Sequence, residues 1–366
     1  MTQKEAIEYT INLAKKAIDN EIRPNPFVGA VILDQDGKLL GEGYHQKIGG
    51  PHAEVFAIEQ ALQKTADLSH ATLYVSLEPC SHFGKTPPCA DLIIQHKIKK
   101  VVIASLDPNP KVASVEKLKA NGIEIEVIDD LEAAILNARF FTNQQKKRPF
   151  FILKTASTID GKISDYARKS KWISNVASRQ YVHEQLRPNV DAIFTSYKTV
   201  IEDEASLTIR NQQGEIRETN VIIIDKALTL LKNHYSSLPI FYPRNKTTIT
   251  FIVSEKPAFQ LPVRTNYIVG EFGEHGLVFS SVTSQLLELG MYTILTEGGS
   301  QLNSSMIQQQ VADELYWFIA PSILNDANAL PMLGIDRFCN LEEKVNLSLI
   351  EVKKIEEDVL LHYRFK

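Results

Sequence analysis

The sequence predicts an α/β protein of two domains. The chain has 366 residues, and a typical domain has about 150. Strand patterns alternate with helix patterns in two successive series, which is typical of α/β folds. A polar, basic segment that ends in proline, residues 143–149, separates the two series. We therefore predict one domain at residues 1–145 and a second at residues 149–366.

The first series of elements begins with a helix, because Ile7, Ile11 and Ala14 recur with helical spacing. The Asp36-Gly37 pair predicts a hairpin turn between two strands. The predicted elements that surround and follow this turn are strands at 28–33 and 39–45, a helix at 53–64, a strand at 72–77, a helix at 90–96, and strands at 100–105 and 123–128 with a helix between them. This alternation predicts a mainly parallel sheet.

The second series repeats the alternation after the basic segment. Apolar runs bounded by turn residues predict its strands, and amphipathic stretches predict its helices. The predicted elements are a strand at 150–154, a helix at 178–186, strands at 192–195, 221–224 and 249–253, a helix at 282–289, a strand at 293–296, and closing strands at 315–319, 347–352 and 359–363.

Composition excludes several classes of function. The net charge of −4 gives no basic surface for nucleic acid. No apolar run approaches the roughly 20 residues of a membrane span, and the N-terminus lacks a secretory signal pattern. The three cysteines are too few for a disulfide framework, so we predict a cytoplasmic protein in which Cys339 is an inert thiol.

Three short motifs predict a catalytic zinc site. The chain reads Pro51-His52-Ala53-Glu54, then Pro79-Cys80, then Pro87-Pro88-Cys89, each at a strand end or a helix start. Three protein ligands leave the fourth tetrahedral position open for water. The zinc deaminases combine a His-x-Glu motif with two cysteines in this way. We predict His52, Cys80 and Cys89 as Zn²⁺ ligands and Glu54 as the residue that transfers protons.

Three alternatives remain open from these motifs alone. The first is a structural zinc site, although no fourth ligand is evident. The second is a cytidine- or tRNA-type deaminase with an appended domain, which the long segment between Cys80 and Cys89 disfavours. The third is a zinc domain without catalytic activity, joined to a nucleotide-binding regulatory module.

Longer motifs resemble the riboflavin-biosynthesis deaminase family. They are Glu78-Pro79-Cys80-Ser81-His82-Phe83-Gly84-Lys85-Thr86-Pro87-Pro88-Cys89, Pro24-Asn25-Pro26-Phe27-Val28-Gly29, Gly43-Tyr44-His45 and Asp107-Pro108-Asn109-Pro110. The resemblance implies a cytidine-deaminase-like three-layer domain. It also implies a small-molecule substrate, a diamino-pyrimidinone ribosylamine 5′-phosphate that loses its 2-amino group. The implied substrate contacts are Asn25, His45, Lys85, Asp107 and Asn109. Beside prolines, the two asparagines and the aspartate are also good turn formers.

The second domain lacks a Gly-x-Gly-x-x-Gly motif but carries Glu297-Gly298-Gly299-Ser300 between a strand and a helix. Such a junction attracts anions, although Gly-Gly-Ser is more often a simple turn. Residues 154–162, 170–174 and 207–210 resemble the reductase domain of the same pathway. The resemblance implies a dihydrofolate-reductase-like fold and an NADPH-dependent reduction of the ribosyl side chain to ribityl. It also implies a homodimer or homotetramer formed through this domain.

The resemblance implies two sets of contacts in the second domain. The implied cofactor contacts are Ala156, Trp172, Thr199, Asp203, Gly299, Ser300, Gln301, Leu302 and Asn303. The implied substrate contacts are Lys154, Ser170, Arg187, Leu207, Arg210 and Glu297. Arginine suits a phosphate through its planar fork of donors. For Trp172 and Leu207, ordinary packing in the core is an equally good interpretation.

Overall fold

The computed structural model describes residues 1–366 except 18, 82–86, 243–244 and 335–339. The chain folds as two compact units, Met1–Lys147 and Arg148–Lys366. Each unit is an α/β fold built around its own sheet, which confirms the predicted fold class. In the part of the chain that the structure describes, no helix is both long and apolar enough to span a membrane.

The first unit contains five strands and seven helices among its described residues. The strands are β1 (Gly29–Leu33), β2 (Leu39–Tyr44), β3 (Thr72–Val75), β4 (Lys100–Ile103) and β5 (Glu124–Val127). The helices are α1 (Gln3–Ala14), α2 (Asp19–Ile22), α3 (Ala53–Leu62), α4 (Cys89–Gln95), α5 (Ser114–Ala120), α6 (Leu131–Leu136) and α7 (Ala138–Gln145). Helices α6 and α7 were not predicted from the sequence.

The sheet of the first unit has the order β2-β1-β3-β4-β5. It is mixed rather than mainly parallel, because β1 pairs antiparallel with both β2 and β3. Alternate residues of β1 point to opposite faces: Ala30 and Ile32 pack with α3 to α5, and Val31 and Leu33 pack with α1 and α6. The unit therefore has three layers, as the family resemblance implies.

Two glycines let helix α3 approach the sheet closely. A Cβ atom on Gly41 would lie 2.0 Å from the carbonyl oxygen of Ala57, and one on Gly43 would lie 2.4 Å from the Cβ of Phe56. A larger residue at either of these two positions would displace the helix. The start of α3 carries His52 and Glu54, so this close packing fixes the position of the first zinc motif.

The second unit contains fifteen strands and five α-helices among its described residues. The strands are β6 (Phe150–Thr158), β7 (Lys162–Ser164), β8 (Ala192–Ser196), β9 (Ile209–Arg210), β10 (Ile216–Arg217), β11 (Asn220–Ile224), β12 (Ile249–Val253), β13 (Thr265–Val269), β14 (Phe272–Gly273), β15 (Gly276–Leu277), β16 (Thr293–Thr296), β17 (Ala312–Ala320), β18 (Leu330–Pro331), β19 (Leu347–Ile355) and β20 (Asp358–Phe365). The helices are α8 (Val176–Tyr181), α9 (Tyr197–Glu202), α10 (Thr229–Asn233), α11 (Thr283–Glu288) and α12 (Ser300–Gln308).

The main sheet of this unit has nine strands in the order β13-β12-β11-β8-β16-β6-β17-β20-β19. The first seven strands in this order are parallel to their neighbours, and β20 and β19 are antiparallel. The carboxyl ends of the parallel strands therefore meet at one edge. In open α/β sheets this edge is where ligands bind.

The predicted helix at 178–186 differs from the observed structure. Helix α8 ends at Tyr181, a π-helical turn follows at Val182–Leu186, and a 3-10 turn covers Arg187–Asn189. A π turn accommodates more residues per turn than an α-helix and often occurs at functional sites. Here the π turn contains His183 and is followed directly by Arg187.

Candidate active sites

The three predicted zinc ligands converge in the first unit. His52 precedes α3, Cys80 follows β3, and Cys89 is the first residue of α4. The Nδ1 atom of His52 lies 3.5 Å from the Sγ of Cys80 and 3.3 Å from the Sγ of Cys89. All three donor atoms lie within 4.8 Å of one another, and no fourth acid, cysteine or histidine joins this group among the described residues.

These separations fit a zinc ion. Tetrahedral zinc with a Zn–S bond of about 2.3 Å and a Zn–N bond of about 2.0 Å places its nitrogen and sulfur ligands about 3.5 Å apart. The two observed nitrogen–sulfur distances match that value. One imidazole and two sulfurs are also ligands that zinc prefers. The residues present can therefore hold the metal through three protein ligands.

The thiol of Cys80 is easily ionised. A hydrogen bond from Cys89 and another from His52 lower the pKa of the Cys80 thiol well below its ordinary value, although burial opposes this. The backbone N–H of Cys89 also donates to the Cys80 sulfur at 3.2 Å. Because the thiolate is the form that binds metals, this shift favours coordination by Cys80.

Glu54 is the buried acid beside this cluster. It is only 3% exposed, and its Oε2 atom has no hydrogen-bond partner among the described residues. Burial and the negative charge of Cys80 raise the pKa of Glu54 to about 7. A carboxyl group whose pKa lies near neutrality can both accept and release a proton efficiently.

Two of the predicted substrate contacts bind each other. The Nε2 atom of His45 lies 3.0 Å from the Nδ2 of Asn25, and its Nδ1 lies 3.1 Å from the carbonyl oxygen of Pro51. Since a carbonyl only accepts, Nδ1 carries the proton and Nε2 accepts from Asn25. Burial lowers the pKa of His45, which favours this neutral form.

The predicted contacts Asp107 and Asn109 lie in the loop between β4 and α5. The Oδ1 atom of Asp107 accepts from the Asn109 N–H at 2.7 Å, and the Oδ1 of Asn109 accepts from the Lys111 N–H at 3.1 Å. Both side chains thus stabilise turns, as the alternative interpretation proposed. The predicted residue Lys85 and the lone Cys339 lie outside the described residues.

Sequence reasoning missed Asn137, which fastens the loop that carries Asn25. The side chain of Asn137 donates to the carbonyl oxygen of Phe27 at 2.9 Å and accepts from the Phe27 N–H at 2.8 Å. Asn137 is only 1% exposed. No local sequence signal identifies this pairing, because the partners are 110 residues apart.

In the second unit, the predicted residues Arg187 and Glu297 bind each other. The guanidinium donates from Nε and Nη2 to the two carboxylate oxygens at 2.7 and 2.9 Å, and from Nη1 to the carbonyl of Thr208. Burial raises the pKa of Glu297, but Arg187 outweighs it and lowers that pKa to about 2. The fork of Arg187 is therefore occupied by a carboxylate rather than open to a phosphate.

Two further cations and a histidine surround this pair. Lys154 on β6 forms no hydrogen bond or ion pair with any described residue, and its Nζ lies 5.8 Å from the centre of the Phe318 ring. Burial lowers the pKa of Lys154. The side chain of Arg210 is exposed, and its backbone N–H donates to the Nδ1 of His183 at 3.1 Å.

His183 was also missed from the sequence. Burial, with the nearby charge of Arg187, lowers the pKa of His183 to about 4, so the ring is neutral at physiological pH. Because its Nδ1 accepts from Arg210, its proton is carried by Nε2. The four-residue spacing of His183 and Arg187, which places side chains on one helical face, was the available signal.

The remaining predicted contacts are distributed around the same region. The Ser170 hydroxyl donates to Asp203 at 2.7 Å, and Thr199 lies in the first turn of α9. Trp172 is 68% exposed, and the guanidinium carbon of Arg179 lies 4.2 Å from the centre of the Trp172 ring. The core-packing interpretation is therefore wrong for Trp172. Leu207 is buried in an apolar cluster, as the packing interpretation proposed.

The start of helix α12 is open to an anion. A Cβ atom on Gly299 would meet no atom of the described residues within 4 Å. The buried Oγ of Ser300 and Oδ1 of Asn303 have no hydrogen-bond partner among the described residues. N–H groups at a helix N-terminus attract phosphates. This segment, which includes the predicted Gln301 and Leu302, thus fits a cofactor that carries a pyrophosphate. The predicted Ala156 is half-buried on β6.

Comparisons with known proteins agree with this division of chemistry. Residues 2–105 match the cytidine and deoxycytidylate deaminase zinc-binding region, and residues 149–361 match the RibD C-terminal domain. The chain is 36% identical over 364 residues to the riboflavin biosynthesis protein RibD of Aquifex aeolicus, covering 99% of this chain and 98% of that protein. The chain belongs to the RibD family. It is accordingly a bifunctional enzyme of riboflavin biosynthesis, with a hydrolytic deaminase and a reductase.

Other RibD relatives support this assignment along the whole chain. The Escherichia coli protein is 34% identical over 355 residues, with 93% of each chain covered. A deaminase/reductase structure from Thermotoga maritima superposes with a TM-score of 0.81 at 34% identity, covering 99% of this chain and 98% of that one. Acinetobacter baumannii RibD gives a TM-score of 0.78 at 31% identity, with the same coverage. The predicted family is confirmed, and the cytidine- or tRNA-type deaminase and the non-enzymatic module are wrong.

Proposed function

We propose that the first unit removes the 2-amino group of a diamino-pyrimidinone ribosylamine 5′-phosphate by zinc-dependent hydrolysis. One observation carries this proposal. The buried carboxylate of Glu54 lies beside one imidazole and two sulfurs, which are donors that zinc prefers. The T. maritima protein is described as a diaminohydroxyphosphoribosylaminopyrimidine deaminase and a 5-amino-6-(5-phosphoribosylamino)uracil reductase, which supports the choice of substrate.

His52, Cys80 and Cys89 would hold the zinc ion, which supplies Lewis-acid activation of the attacking water. Glu54 takes one proton of that water and delivers it to the ring nitrogen. It then moves a second proton to the departing amine, so that the carbon exchanges its amino group for oxygen and ammonia leaves. The Oε2 atom of Glu54, which has no hydrogen-bond partner in the described part of the chain, leaves an acceptor available for these transfers.

The centre of the His45 ring lies 5.4 Å from that of the His52 ring, and Asn25 is hydrogen-bonded to His45. Their mutual hydrogen bond and the bond from His45 to Pro51 hold the imidazole in place, and burial keeps it neutral. We assign His45, Asn25, Asp107 and Asn109 to substrate binding, and Lys85 to the 5′-phosphate, where a lysine acts as a point charge.

We propose that the second unit then uses NADPH to reduce the ribosylamino group to ribitylamino. When bound, NADPH would supply the hydride that C1′ of the ring-opened sugar imine requires, and with a proton on the imine nitrogen C=N would become CH–NH. The start of α12 would receive the pyrophosphate, and Trp172, Thr199, Asp203 and Ala156 would line the cofactor. Ser170, Leu207, Arg210 and the Arg187–Glu297 pair would line the substrate, with Lys154 near the reacting carbon.

The test supplies the pyrimidine phosphate to the zinc-loaded chain and follows ammonia release together with loss of NADPH absorbance. The wild-type chain should produce both signals. The Glu54→Gln variant should keep one zinc per chain and stop releasing ammonia, while it still oxidises NADPH when given the deaminated intermediate. Near-normal deamination by this variant would reject the role of Glu54. A folded, zinc-loaded chain that consumes no NADPH would reject the reductase assignment.

A further inference from the structure

Glu78 is a buried acid that the proposed chemistry does not use. It is 8% exposed and comes two residues before Cys80. Its backbone N–H donates to the carbonyl oxygen of Ser105 at 2.9 Å, which continues the pairing of β3 with β4 beyond the last strand residues. The backbone therefore fixes Glu78 at the edge of the sheet where the zinc motifs meet.

The carboxylate of Glu78 joins the two ends of one loop. Its Oε2 atom accepts from the N–H of Asp107 at 3.3 Å. Its Oε1 atom accepts from the N–H and the hydroxyl of Ser114, at 3.0 and 2.9 Å, and from the N–H of Val115 at 3.4 Å. Because each oxygen binds a different end, the carboxylate determines the shape of the 107–114 loop.

The same loop has a second attachment on the other side of Cys80. The Ser81 hydroxyl accepts from the N–H of Ala113 at 2.9 Å. The 107–114 loop is thus bound to residues on both sides of a zinc ligand. The loop carries Asp107 and Asn109, whose side chains stabilise two successive turns. The first of these turns starts at Asp107, whose N–H donates to Glu78.

We propose that Glu78 is a positioning residue of the deaminase site. It keeps the 107–114 loop, and with it Asp107 and Asn109, beside the zinc-binding turn without touching the substrate itself. This inference rests on the proposed deaminase function, because it assigns the loop to substrate binding. It predicts that loss of the carboxylate changes how the substrate is held while the metal site and the reductase are preserved.

Glu78→Gln is the informative variant because it keeps the size of the side chain. An amide retains one acceptor oxygen and replaces the other with an N–H₂ group, which only donates. That group would face a donor at one end of the loop, either Asp107 or Ser114, so one attachment is lost. A matched control is Asp130→Asn, since the carboxylate of Asp130 accepts from the N–H groups of Glu132 and Ala133 at 2.9 and 3.0 Å and caps α6.

The experiment uses the full zinc-loaded chain and measures zinc content, deaminase kinetics and NADPH oxidation for both variants. Glu78→Gln should raise KM for the pyrimidine phosphate about tenfold or more, since misplaced substrate contacts have effects of this size. Zinc content and reductase rate should stay at wild-type values, and Asp130→Asn should leave KM unchanged. A zinc-loaded Glu78→Gln variant with wild-type KM, or one that loses its zinc, would overturn the proposal.

Amide hydrogen exchange gives a readout that does not depend on the substrate. In Glu78→Gln, exchange should accelerate at residues 107–115 and stay unchanged in α3 and α6. Should that variant not fold, Ser114→Ala, which removes one of the four donors, tests the same attachment through a smaller rise in KM. If the wild-type chain releases no ammonia, the proposed function fails, whereas the exchange measurement still decides whether Glu78 holds the loop.

Discussion

Arg187 and Glu297 form two parallel hydrogen bonds, 2.7 and 2.9 Å long, across 110 residues of sequence. Both side chains are largely buried, with 11% and 16% exposure. The pair links the end of the π-helical turn to the carboxyl end of β16. It therefore holds together two of the segments that carry the predicted reductase contacts.

The Arg187–Glu297 pair should be needed for reductase activity and for the stability of the second unit. Arg187→Met leaves Glu297 buried without its partner, which should lower the free energy of unfolding by about 3–5 kcal/mol. Both tryptophans of the chain lie in this unit, so tryptophan fluorescence during denaturation measures its unfolding alone.

The double variant Arg187→Met/Glu297→Met is the control for this prediction. Replacing both charges with apolar side chains of similar volume is often neutral, so most of the lost stability should return. NADPH oxidation should not return, because the charges at the site are gone. A double variant with wild-type reductase activity would contradict the assignment of this pair to the reductase site.

His183 should make the stability of the second unit depend on pH. Its pKa in the folded chain is about 4, below its ordinary value of 6.5, so the unfolded chain binds this proton more readily. The contribution of His183 to the unfolding free energy is complete above pH 6.5 and is lost as pH falls toward 4. The difference between wild type and His183→Gln, measured by fluorescence, should change across this interval. A constant difference would show that His183 titrates normally.

Gly43→Ala should weaken zinc binding through the position of helix α3. The added Cβ would lie 2.6 Å from the carbonyl oxygen of Ala53, immediately beside His52. Overpacking of this kind costs about 1–3 kcal/mol, and the zinc content after dialysis against a weak chelator should fall. Gly273→Ala is the matched control, since among the described atoms its Cβ would meet only Val278, at 3.7 Å. Equal zinc retention by both variants would argue against a role for the close approach.

Asn137→Ala should loosen the loop that carries Asn25. The N–H and carbonyl of Phe27 would each lose a buried partner, at a cost of about 1–3 kcal/mol per group. Deaminase KM should rise and the melting temperature of the first unit should fall, as followed by calorimetry. Asn137→Asp keeps the acceptor for the Phe27 N–H but turns a buried carboxylate oxygen toward the Phe27 carbonyl, so it should not restore the stability that the alanine variant loses. An Asn137→Ala variant with unchanged KM would show that the Asn137–Phe27 hydrogen bonds do not affect substrate binding.

The sequence predicted those parts of the molecule whose signals are local. Period-two and helical patterns located most strands and helices, and the motifs around His52, Cys80 and Cys89 identified three side chains that lie together in space. These motifs also identified the family. Residues at strand ends and helix starts are easy to place from sequence, because parallel strands bring their carboxyl ends to one edge of the sheet.

Features that depend on distant partners could not be predicted in this way. No sequence pattern predicts the hydrogen bonds between Asn137 and Phe27. Arg187 was expected to face a phosphate because its chemistry suits one, but its buried carboxylate partner lies 110 residues away. The antiparallel pairing of β1 with β2 follows from the predicted hairpin, but the antiparallel pairing of β1 with β3 was missed, because the alternation of strands and helices does not reveal strand direction.

The parallel strands of the second unit end at a common rim, and the zinc ligands of the first unit likewise follow strand ends or begin helices. Side chains in these connecting segments can be exchanged without repacking the apolar layers beneath them. Evolution can therefore alter substrate preference in either half at little cost to folding. A chain that shares only about a third of its residues with its relatives can retain both frameworks for this reason.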